Sequence, residues 1–193
     1  EFKKNLNIKI LNKDILKFNL EKKISNSSII IGNLPYNISS QILIKLIKFK
    51  LWPPKYKKLV LMFQKEVADK IVAKFNTSNY GRLAIIVAAR LKITNRFDVS
   101  PNSFWPIPKV KSTILVFEPI INKNFRIKNI KNLESISHVF FSRKRKMINK
   151  AFIKLFKEPI MVAKKIKIDL NLRPNEITPD EYFNIVKLFE EQI

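Results

Sequence analysis

The chain has 193 residues, which is enough for one large domain or two small ones with a hydrophobic core. Its 38 Lys and Arg against 15 Asp and Glu give a net charge of +23, which predicts a polyanionic partner such as a nucleic acid or an anionic membrane surface. The absence of Cys excludes disulfides and thiolate sites, and the single histidine, His138, excludes a His-based metal site.

The chain contains only two glycines, Gly32 and Gly81, which excludes a Gly-rich phosphate-binding loop within it. The abundance of Ile, Asn, Lys and Phe is typical of an AT-rich genome, which raises the Lys content independently of any partner. No apolar run is long enough to predict a transmembrane helix. The first residues have neither an initiator Met nor an apolar signal core, so we expect a cytoplasmic protein whose sequence continues upstream.

Strands and helices alternate in the first part of the chain, which predicts an α/β sheet with an antiparallel edge. Short β-branched or alternating runs predict strands at 7–11, 28–32, 58–63, 93–99 and 112–118. Helical spacing of apolar residues predicts helices at 40–50, 65–75 and 81–91. The run at 28–32 lacks alternation, which predicts a strand that is buried on both faces.

The composition changes after Pro119, where residues 120–131 are polar, basic and rich in Asn and are predicted to form a linker. Beyond it the pattern is helical, with helices predicted at 132–142, 145–157, 159–167 and 179–191. Thr178 to Glu181 form a capping-box pattern before the last helix. The sequence therefore predicts an α/β domain at 1–119 and a small all-helical domain at 125–193.

The segment Asn33-Leu34-Pro35-Tyr36 directly follows a predicted buried strand, at the end where open α/β sheets bind ligands. Asn33 offers a side-chain acceptor, and the carbonyl of Leu34 has a fixed direction because a Pro follows it. Tyr36 adds an aromatic face, so the set suits a planar heterocycle with an exocyclic NH2 group. The alternative is a strand-to-helix turn that uses Asn and Pro only for its geometry.

Six segments along the chain, in order, resemble the motifs of the small-subunit (16S-type) ribosomal RNA adenine dimethyltransferase family. They are Gly-Asn-Leu-Pro-Tyr-Asn-Ile-Ser (32–39), Gln-Lys-Glu-Val-Ala (64–68), Tyr-Gly-Arg-Leu (80–83), Pro-Asn-Ser-Phe-Trp-Pro-Ile-Pro-Lys-Val-Lys-Ser (101–112), Phe-Ser-Arg-Lys-Arg-Lys (141–146) and Arg-Pro-Asn-Glu (173–176). The resemblance implies a class I (Rossmann-like) methyltransferase sheet, N-terminally truncated at 1–119, followed by a helical RNA-binding domain. It also implies transfer of methyl groups to two adjacent adenosines near the 3′ end of that RNA, during ribosome biogenesis.

Two departures from the family's pattern stand out. The family's Gly-rich cofactor loop and the acidic residue that holds the ribose would both lie upstream of Glu1, so we expect this chain alone to bind cofactor weakly or not at all. Within the basic motif, Arg143 stands where Gln is usual and Asn149 where a second Arg is usual, which changes the charge little.

The resemblance implies S-adenosyl-L-methionine as methyl donor, with Asp14 and Asn33 in contact with it. Asn33 and the carbonyl of Leu34 or Pro35 would accept hydrogen bonds from the adenine amine, Tyr36 would stack on the base, and Phe104 would close its other face. The basic residues of the motifs are the expected phosphate contacts: Lys65, Arg82, Lys109, Arg143, Lys144, Arg145 and Lys146.

Each of these roles has a structural alternative. Phe104 could be a plug beneath the Pro-rich turn at 101–108, Asp14 a turn or helix-capping residue, and the cations a solvated surface. For the whole chain, the main hypothesis is a monomeric enzyme that acts on small-subunit rRNA or the immature subunit, without a membrane partner. The alternatives are a large-subunit rRNA adenine methyltransferase and a non-catalytic RNA-binding or ribosome-assembly protein.

Overall fold

The computed structural model of the protein describes residues 7–121 and 127–192 and contains one mixed sheet with helices. The strands are β1 (Ser28–Asn33), β2 (Tyr56–Gln64), β3 (Leu91–Val99) and β4 (Ser112–Pro119). The helices are α1 (Ser39–Ile47), α2 (Lys65–Ile71), α3 (Arg82–Ala88), α4 (Ile130–Phe141), α5 (Asn149–Leu155), α6 (Pro159–Lys165) and α7 (Pro179–Glu191). The predicted α/β sheet and the helical second part are both confirmed.

The strands lie in the order β1-β2-β4-β3, with β1 parallel to β2 and β4 antiparallel to both of its neighbours. Asn33 is aligned with Met62 near the end of β2. Gln64 and Val99, at the ends of β2 and β3, are both aligned with Ser112 at the start of β4. One edge of the sheet therefore collects the ends of three strands and the beginning of the fourth, and we call it the carboxyl edge.

The prediction that β1 is buried on both faces is wrong. Ile29 and Ile31 are 52% and 77% exposed, whereas Ile30 between them packs against the core. Among the described residues β1 is the last strand of the sheet, and nothing covers the face that carries Ile29 and Ile31. An apolar run without alternation thus forms a strand with one buried face.

The predicted strand at 7–11 is also absent. These residues have no regular secondary structure, and Ile8, Ile10 and Leu11 are 41%, 57% and 50% exposed. A strand needs a partner for its backbone hydrogen bonds, and no described residue pairs with this segment. The alternating pattern alone therefore does not produce a strand here.

The predicted helix at 145–157 begins later than expected, because residues 142–148 form a turn between α4 and α5. The backbone N–H of Ile148 donates to the carbonyl of Leu172 at 2.9 Å, and the Ile148 side chain is buried, which fixes the end of this turn. The capping box before α7 is confirmed, since the Thr178 hydroxyl accepts from the Glu181 N–H and Glu181 Oε2 accepts from the Thr178 N–H.

One hydrophobic core runs through both parts of the chain, because α3 packs against both α4 and α7. The ring of Phe140 lies 5.3 Å from that of Tyr182, and an ion pair of 2.7 Å joins Lys48, directly after α1, to Glu134 of α4. Residues 122–126 of the predicted linker, including the first two residues of the predicted 125–193 domain, lie outside the described residues. None of the helices that the structure describes is long and apolar enough to cross a bilayer.

Candidate active site and nucleic-acid interface

Asn33, Leu34, Pro35 and Tyr36 follow β1 at the carboxyl edge, as the sequence predicts. The hydroxyls of Tyr36 and Ser112 are 2.6 Å apart, which joins this segment to the first residue of β4. The predicted site residues Lys65 and Phe104 belong to the same edge, because α2 directly follows β2 and the segment from Ser100 to Lys111 connects β3 to β4. The fold thus brings these residues of the first, second and fourth motifs together.

The hydrogen-bond acceptors of the segment differ in availability. The Asn33 side chain is exposed, and its amide has no hydrogen-bond partner within residues 7–121 and 127–192. The Pro35 carbonyl accepts from the Ile38 N–H at 3.1 Å, whereas the Leu34 carbonyl accepts from no described donor. This arrangement leaves the Asn33 amide and the Leu34 carbonyl as the two unengaged acceptors.

The surroundings of Gly32 leave little room for a side chain. A Cβ atom there would lie 2.7 Å from Cδ2 of Leu34 and 3.1 Å from Cδ2 of Leu61. Leu61 is almost fully buried in β2 and has little room to move. A side chain at position 32 would therefore force the Leu34 side chain to move, directly beside the carbonyl that is one of the two free acceptors.

Two aromatic side chains at this edge are only half-buried and lie outside the main hydrophobic core. The Tyr36 ring is held by its hydrogen bond to Ser112, whose side chain is 1% exposed. Phe104 follows a short 3-10 turn, Pro101–Ser103, and its N–H donates to the Pro101 carbonyl at 3.2 Å. Neither ring belongs to the core cluster, and both remain partly accessible at this edge.

Lys65 belongs to a small charged network at the same edge. Its ammonium lies 3.1 Å from Asp98 Oδ2, and its backbone N–H donates to the Lys111 carbonyl at 2.9 Å. The Thr113 hydroxyl donates to Asp98 Oδ1 at 2.8 Å. The hydrogen bonds from Thr113 and Lys65 hold the pKa of Asp98 below its usual value. The Asp98 carboxylate therefore connects the end of β3 to α2. Lys109 is not described in this network and is exposed on the segment between β3 and β4.

The remaining predicted cations gather at a second place, the turn at 142–146 between α4 and α5, which we call the basic turn. The Lys144 ammonium donates to the Ser78 carbonyl at 2.7 Å, so the turn lies against the segment that leads into α3. Arg82 is the first residue of α3, and its buried Nε atom has no hydrogen-bond partner within the described parts of the chain. Arg82 and the basic turn therefore share one surface.

A cavity of about 300 Å³ opens beside the basic turn. Arg143 and Lys146 line it together with Lys150 and Lys154, which lie one helical turn apart on α5. All four side chains are exposed. This cavity is concave and cationic, which is the form that a phosphate-binding surface takes.

Asp14 lies in a turn that precedes β1. Its carboxylate is exposed, its Oδ1 accepts from the Leu16 N–H at 2.8 Å, and its carbonyl accepts from the N–H groups of Lys17 and Phe18. These are the contacts of a turn residue. The Lys45 ammonium donates to the Leu16 carbonyl and fixes this turn to α1, and no described contact joins Asp14 to Asn33.

Sequence analysis gave no role to Ser112, Asp98, Lys150 or Lys154. The partner of Ser112 is 76 residues away in the chain, so no local pattern indicates the contact. For Asp98, the sequence feature that could have indicated a role is its negative charge in a strongly basic chain. The spacing of Lys150 and Lys154 by four residues, directly after the basic turn, was a signal for a continuous cationic face.

Comparison with known proteins gives consistent matches. A family model described as ribosomal RNA adenine dimethylase matches residues 1–191. The chain is 48% identical over 187 residues to ribosomal RNA small subunit methyltransferase A of Pelagibacter ubique, covering 95% of this chain and 70% of that protein. It is 34% identical over 186 residues to the protein of the same name in Borreliella burgdorferi, and the match covers 96% of this chain and 63% of that protein. For the Rhizobium etli protein the identity is 36%, and the chain spans about half of it, 52%.

Two solved structures illustrate the similarity of this chain's fold to known ones. The crystal structure of a dimethyladenosine transferase from Plasmodium falciparum matches with a TM-score of 0.81 and 25% identity, covering 99% of this chain and 75% of that one. The crystal structure of 23S rRNA methyltransferase ErmE matches with a TM-score of 0.63 and 18% identity, covering 95% and 72%. The second match is a likeness of fold alone.

Proposed function

The chain belongs to the ribosomal RNA adenine dimethylase family, and we propose that it forms the adenine-binding edge and the RNA-binding face of an S-adenosyl-L-methionine-dependent methyltransferase. Its proposed substrates are two adjacent adenosines near the 3′ end of small-subunit rRNA, in the immature subunit. The observation that carries the proposal is the pair of unengaged acceptors, the Asn33 amide and the Leu34 carbonyl, next to the Tyr36 ring.

The adenine amine is a poor nucleophile because its lone pair is delocalised into the ring. An acceptor for each of its two hydrogens favours a pyramidal nitrogen, which returns the lone pair to the nitrogen atom. The Asn33 amide oxygen and the Leu34 carbonyl would be these acceptors, and Tyr36 and Phe104 would hold the base by stacking. No strong base is needed at this edge, since the amine becomes acidic enough to release its proton to water after methylation.

The residues that would touch the cofactor fit it in part. The Asp14 carboxylate keeps Oδ2 free for an amine donor, and the Asn33 side chain is exposed and unpartnered within the described residues. S-adenosyl-L-methionine would supply an electrophilic methyl group on its sulfonium. Asp14 would hold the adenine of the cofactor, while Asn33 would orient the amine that receives the methyl group.

The electrostatic part of the RNA affinity would come mainly from the basic turn and its cavity, with Lys65 and Lys109 adding phosphate contacts at the carboxyl edge. Phosphate contacts by Lys and Arg bind RNA mainly by releasing counterions, without sequence information. Bringing the target base out of its stack costs a few kcal/mol, and stacking on an aromatic ring returns about 1–3 kcal/mol. The charged surface would thus bind the RNA, and the rings would capture the base.

The test is methyl transfer by the complete gene product to small subunits that lack the modification, with isotopically labelled S-adenosyl-L-methionine. Mass spectrometry should find N6,N6-dimethyladenosine at two adjacent positions near the 3′ end, and the Asn33→Ala variant should not produce it. Modification of large-subunit rRNA instead would favour the alternative enzyme. RNA binding without any methylation would favour a ribosome-assembly protein. We propose a cytoplasmic monomer, which sedimentation of the purified protein would check.

A further inference from the structure

The most exposed large apolar side chain that the structure describes is Trp105, at 93%. It lies on the segment from Ser100 to Lys111, which we call the substrate-side loop. Ile107 and Val110 on the same loop are 60% and 40% exposed. Removing an exposed indole from water is favourable because it buries a large apolar surface. The exposure of Trp105 therefore indicates a surface that can bind a ligand.

Backbone hydrogen bonds hold both ends of the substrate-side loop. The Ser103 and Phe104 N–H groups donate to the carbonyls of Ser100 and Pro101, and the Lys111 carbonyl accepts from the Lys65 N–H. Three prolines along the loop, at 101, 106 and 108, further restrict the chain. The indole is therefore presented from a fixed backbone, and little conformational entropy would be lost on binding.

Phe104 and Trp105 point to different sides of this loop. Phe104 has an extended backbone, with φ of −124° and ψ of 149°, and consecutive side chains of extended chain point in opposite directions. Phe104 is half-buried at the carboxyl edge, whereas Trp105 is almost fully exposed. The residue assigned to the target adenine is thus followed directly by an aromatic plate that faces away from it.

The charged residues near Trp105 favour one kind of ligand. Lys109 and Lys111 are exposed on the same loop, and the nearest acidic residue along the chain, Asp98, is paired with Lys65. The chain carries a net charge of +23. A ligand that offers both negative charge and flat apolar faces is single-stranded nucleic acid, whose bases stack on aromatic side chains.

We propose that Trp105 stacks on an unpaired nucleobase of the RNA strand next to the target adenosine. This inference rests on the proposed function, because the loop borders the edge where the target base is placed. Stacking tolerates every base, so Trp105 would hold the strand in register without reading its sequence. The two consecutive aromatic residues would then separate neighbouring nucleotides, with the target on one side and its neighbour on the other.

Fluorescence of the 193-residue chain gives a direct test, since these residues contain two tryptophans. Trp52 is half-buried, lies beneath the Arg90 guanidinium at 4.7 Å and donates to the Ile120 carbonyl. In the Trp52→Phe variant, a short single-stranded RNA that contains the two adenosines should quench the Trp105 emission. The same RNA made abasic at the neighbouring nucleotides should not. Equal quenching by the abasic RNA would overturn the stacking, as would a blue shift with anionic phosphatidylserine vesicles and none with RNA.

Affinity for the same RNA provides the second readout, in the complete gene product without methyl donor. Trp105→Ala should weaken binding about tenfold to a hundredfold, Trp105→Phe should recover most of this loss, and Ile107→Ala on the same loop should change little. The salt dependence should remain unchanged, because no cation is removed. Unaltered affinity of Trp105→Ala would overturn the inference, as would a changed salt dependence.

The failure of this inference is distinguishable from failure of the proposed function. A protein that methylates rRNA but whose RNA affinity is independent of Trp105 would overturn the stacking alone. A protein that binds RNA through Trp105 but does not methylate would overturn the proposed activity alone.

Discussion

The carboxyl edge of the sheet and the basic turn both carry predicted functional residues, but they hold them differently. At the edge, Tyr36 is fixed by Ser112, and Lys65 and Thr113 are fixed by Asp98. Of the four cations in the basic turn, Lys144 has a side-chain hydrogen bond to another described residue. The side chains of the other three are exposed to solvent: Arg143, Arg145 and Lys146. The edge is organised for geometry and the turn for charge, so changes at the two places should affect different measurements.

We expect Asn33→Ala to give the largest difference between the effect on turnover and the effect on RNA affinity. Its amide would act on the amine lone pair mainly in the transition state, so its loss should lower the turnover number about 10²–10³-fold. RNA affinity should stay almost unchanged, because it comes mainly from phosphate contacts by Lys and Arg, and Asn33 carries no charge. Single-turnover methyl transfer and a binding titration on the same protein measure both quantities. Asn95→Ala, an exposed position within β3, is the control; equal turnover in the two variants would make the Asn33 segment a structural turn.

Removing the charge of the basic turn should have the opposite effect. Changing Lys144, Arg145 and Lys146 together to Ala should weaken binding to all RNAs alike. It should also lower the slope of log K against log salt by roughly 2–3, since up to three phosphate contacts are lost. The methyl-transfer rate at saturating RNA should remain close to that of the unaltered protein.

The control for that experiment removes three exposed lysines from the opposite edge of the sheet. Lys55 lies directly before β2, Lys57 at its beginning, and Lys92 at the beginning of β3. If changing these three to Ala lowered the salt slope as much as changing the basic turn, net charge rather than the basic turn would govern RNA binding.

The two regions also differ in how well the sequence predicts them. The basic turn is a continuous segment, so its composition alone indicates a cationic surface, although its local structure is a turn where helix was predicted. The carboxyl edge depends on contacts between distant residues. The sequence places Asn33 and Tyr36 at the end of a strand, but the partners Ser112 and Asp98 follow only from the order β1-β2-β4-β3 and its register.

The family interpretation and the α/β fold are confirmed, whereas the individual site residues remain predictions. The two errors in the sheet, at 7–11 and in the burial of β1, have one cause. Hydrophobic pattern predicts which residues favour a strand, but pairing and coverage depend on neighbours that the pattern does not contain. Asp14 illustrates the same limit, since the structure shows a turn residue and leaves its cofactor role to experiment.

Stability of the helical part should depend on a contact that involves neither region. Glu190 of α7 is 9% exposed, and its carboxylate accepts from the backbone N–H groups of Lys128 and Asn129 and from the Asn132 amide, at the beginning of α4. Glu190→Gln should cost about 1–3 kcal/mol in urea unfolding, because an amide places a donor against these donors. The exposed neighbour Glu191, 3.7 Å from Lys165, is the control and should change stability by less than about 0.5 kcal/mol on conversion to Gln.

Gly32→Ala should disturb the edge without affecting the basic turn. The added methyl group would meet Leu34 and Leu61 at 2.7 and 3.1 Å, and overpacking of this kind costs typically about 1–3 kcal/mol. Displacement of Leu34 should also lower turnover, with the salt slope of RNA binding unchanged. Gly81→Ala is the matched variant, since its Cβ would meet Phe141 at an ordinary 3.8 Å. A larger stability loss at Gly81 than at Gly32 would contradict the steric account.

The smallest effect, and the finest test of the edge, concerns the hydroxyl pair of Tyr36 and Ser112. If the hydroxyl only positions the ring, Tyr36→Phe and Ser112→Ala remove the same hydrogen bond, worth about 0.5–1.5 kcal/mol. Each should then lower turnover by roughly tenfold or less, and the double variant should be no worse than either single one. Tyr36→Ala should be far more damaging, because it removes the stacking face itself. If Tyr36→Phe were as damaging as Tyr36→Ala while Ser112→Ala remained active, the hydroxyl would act on the substrate directly, and the edge would contribute a reacting group in addition to its geometry.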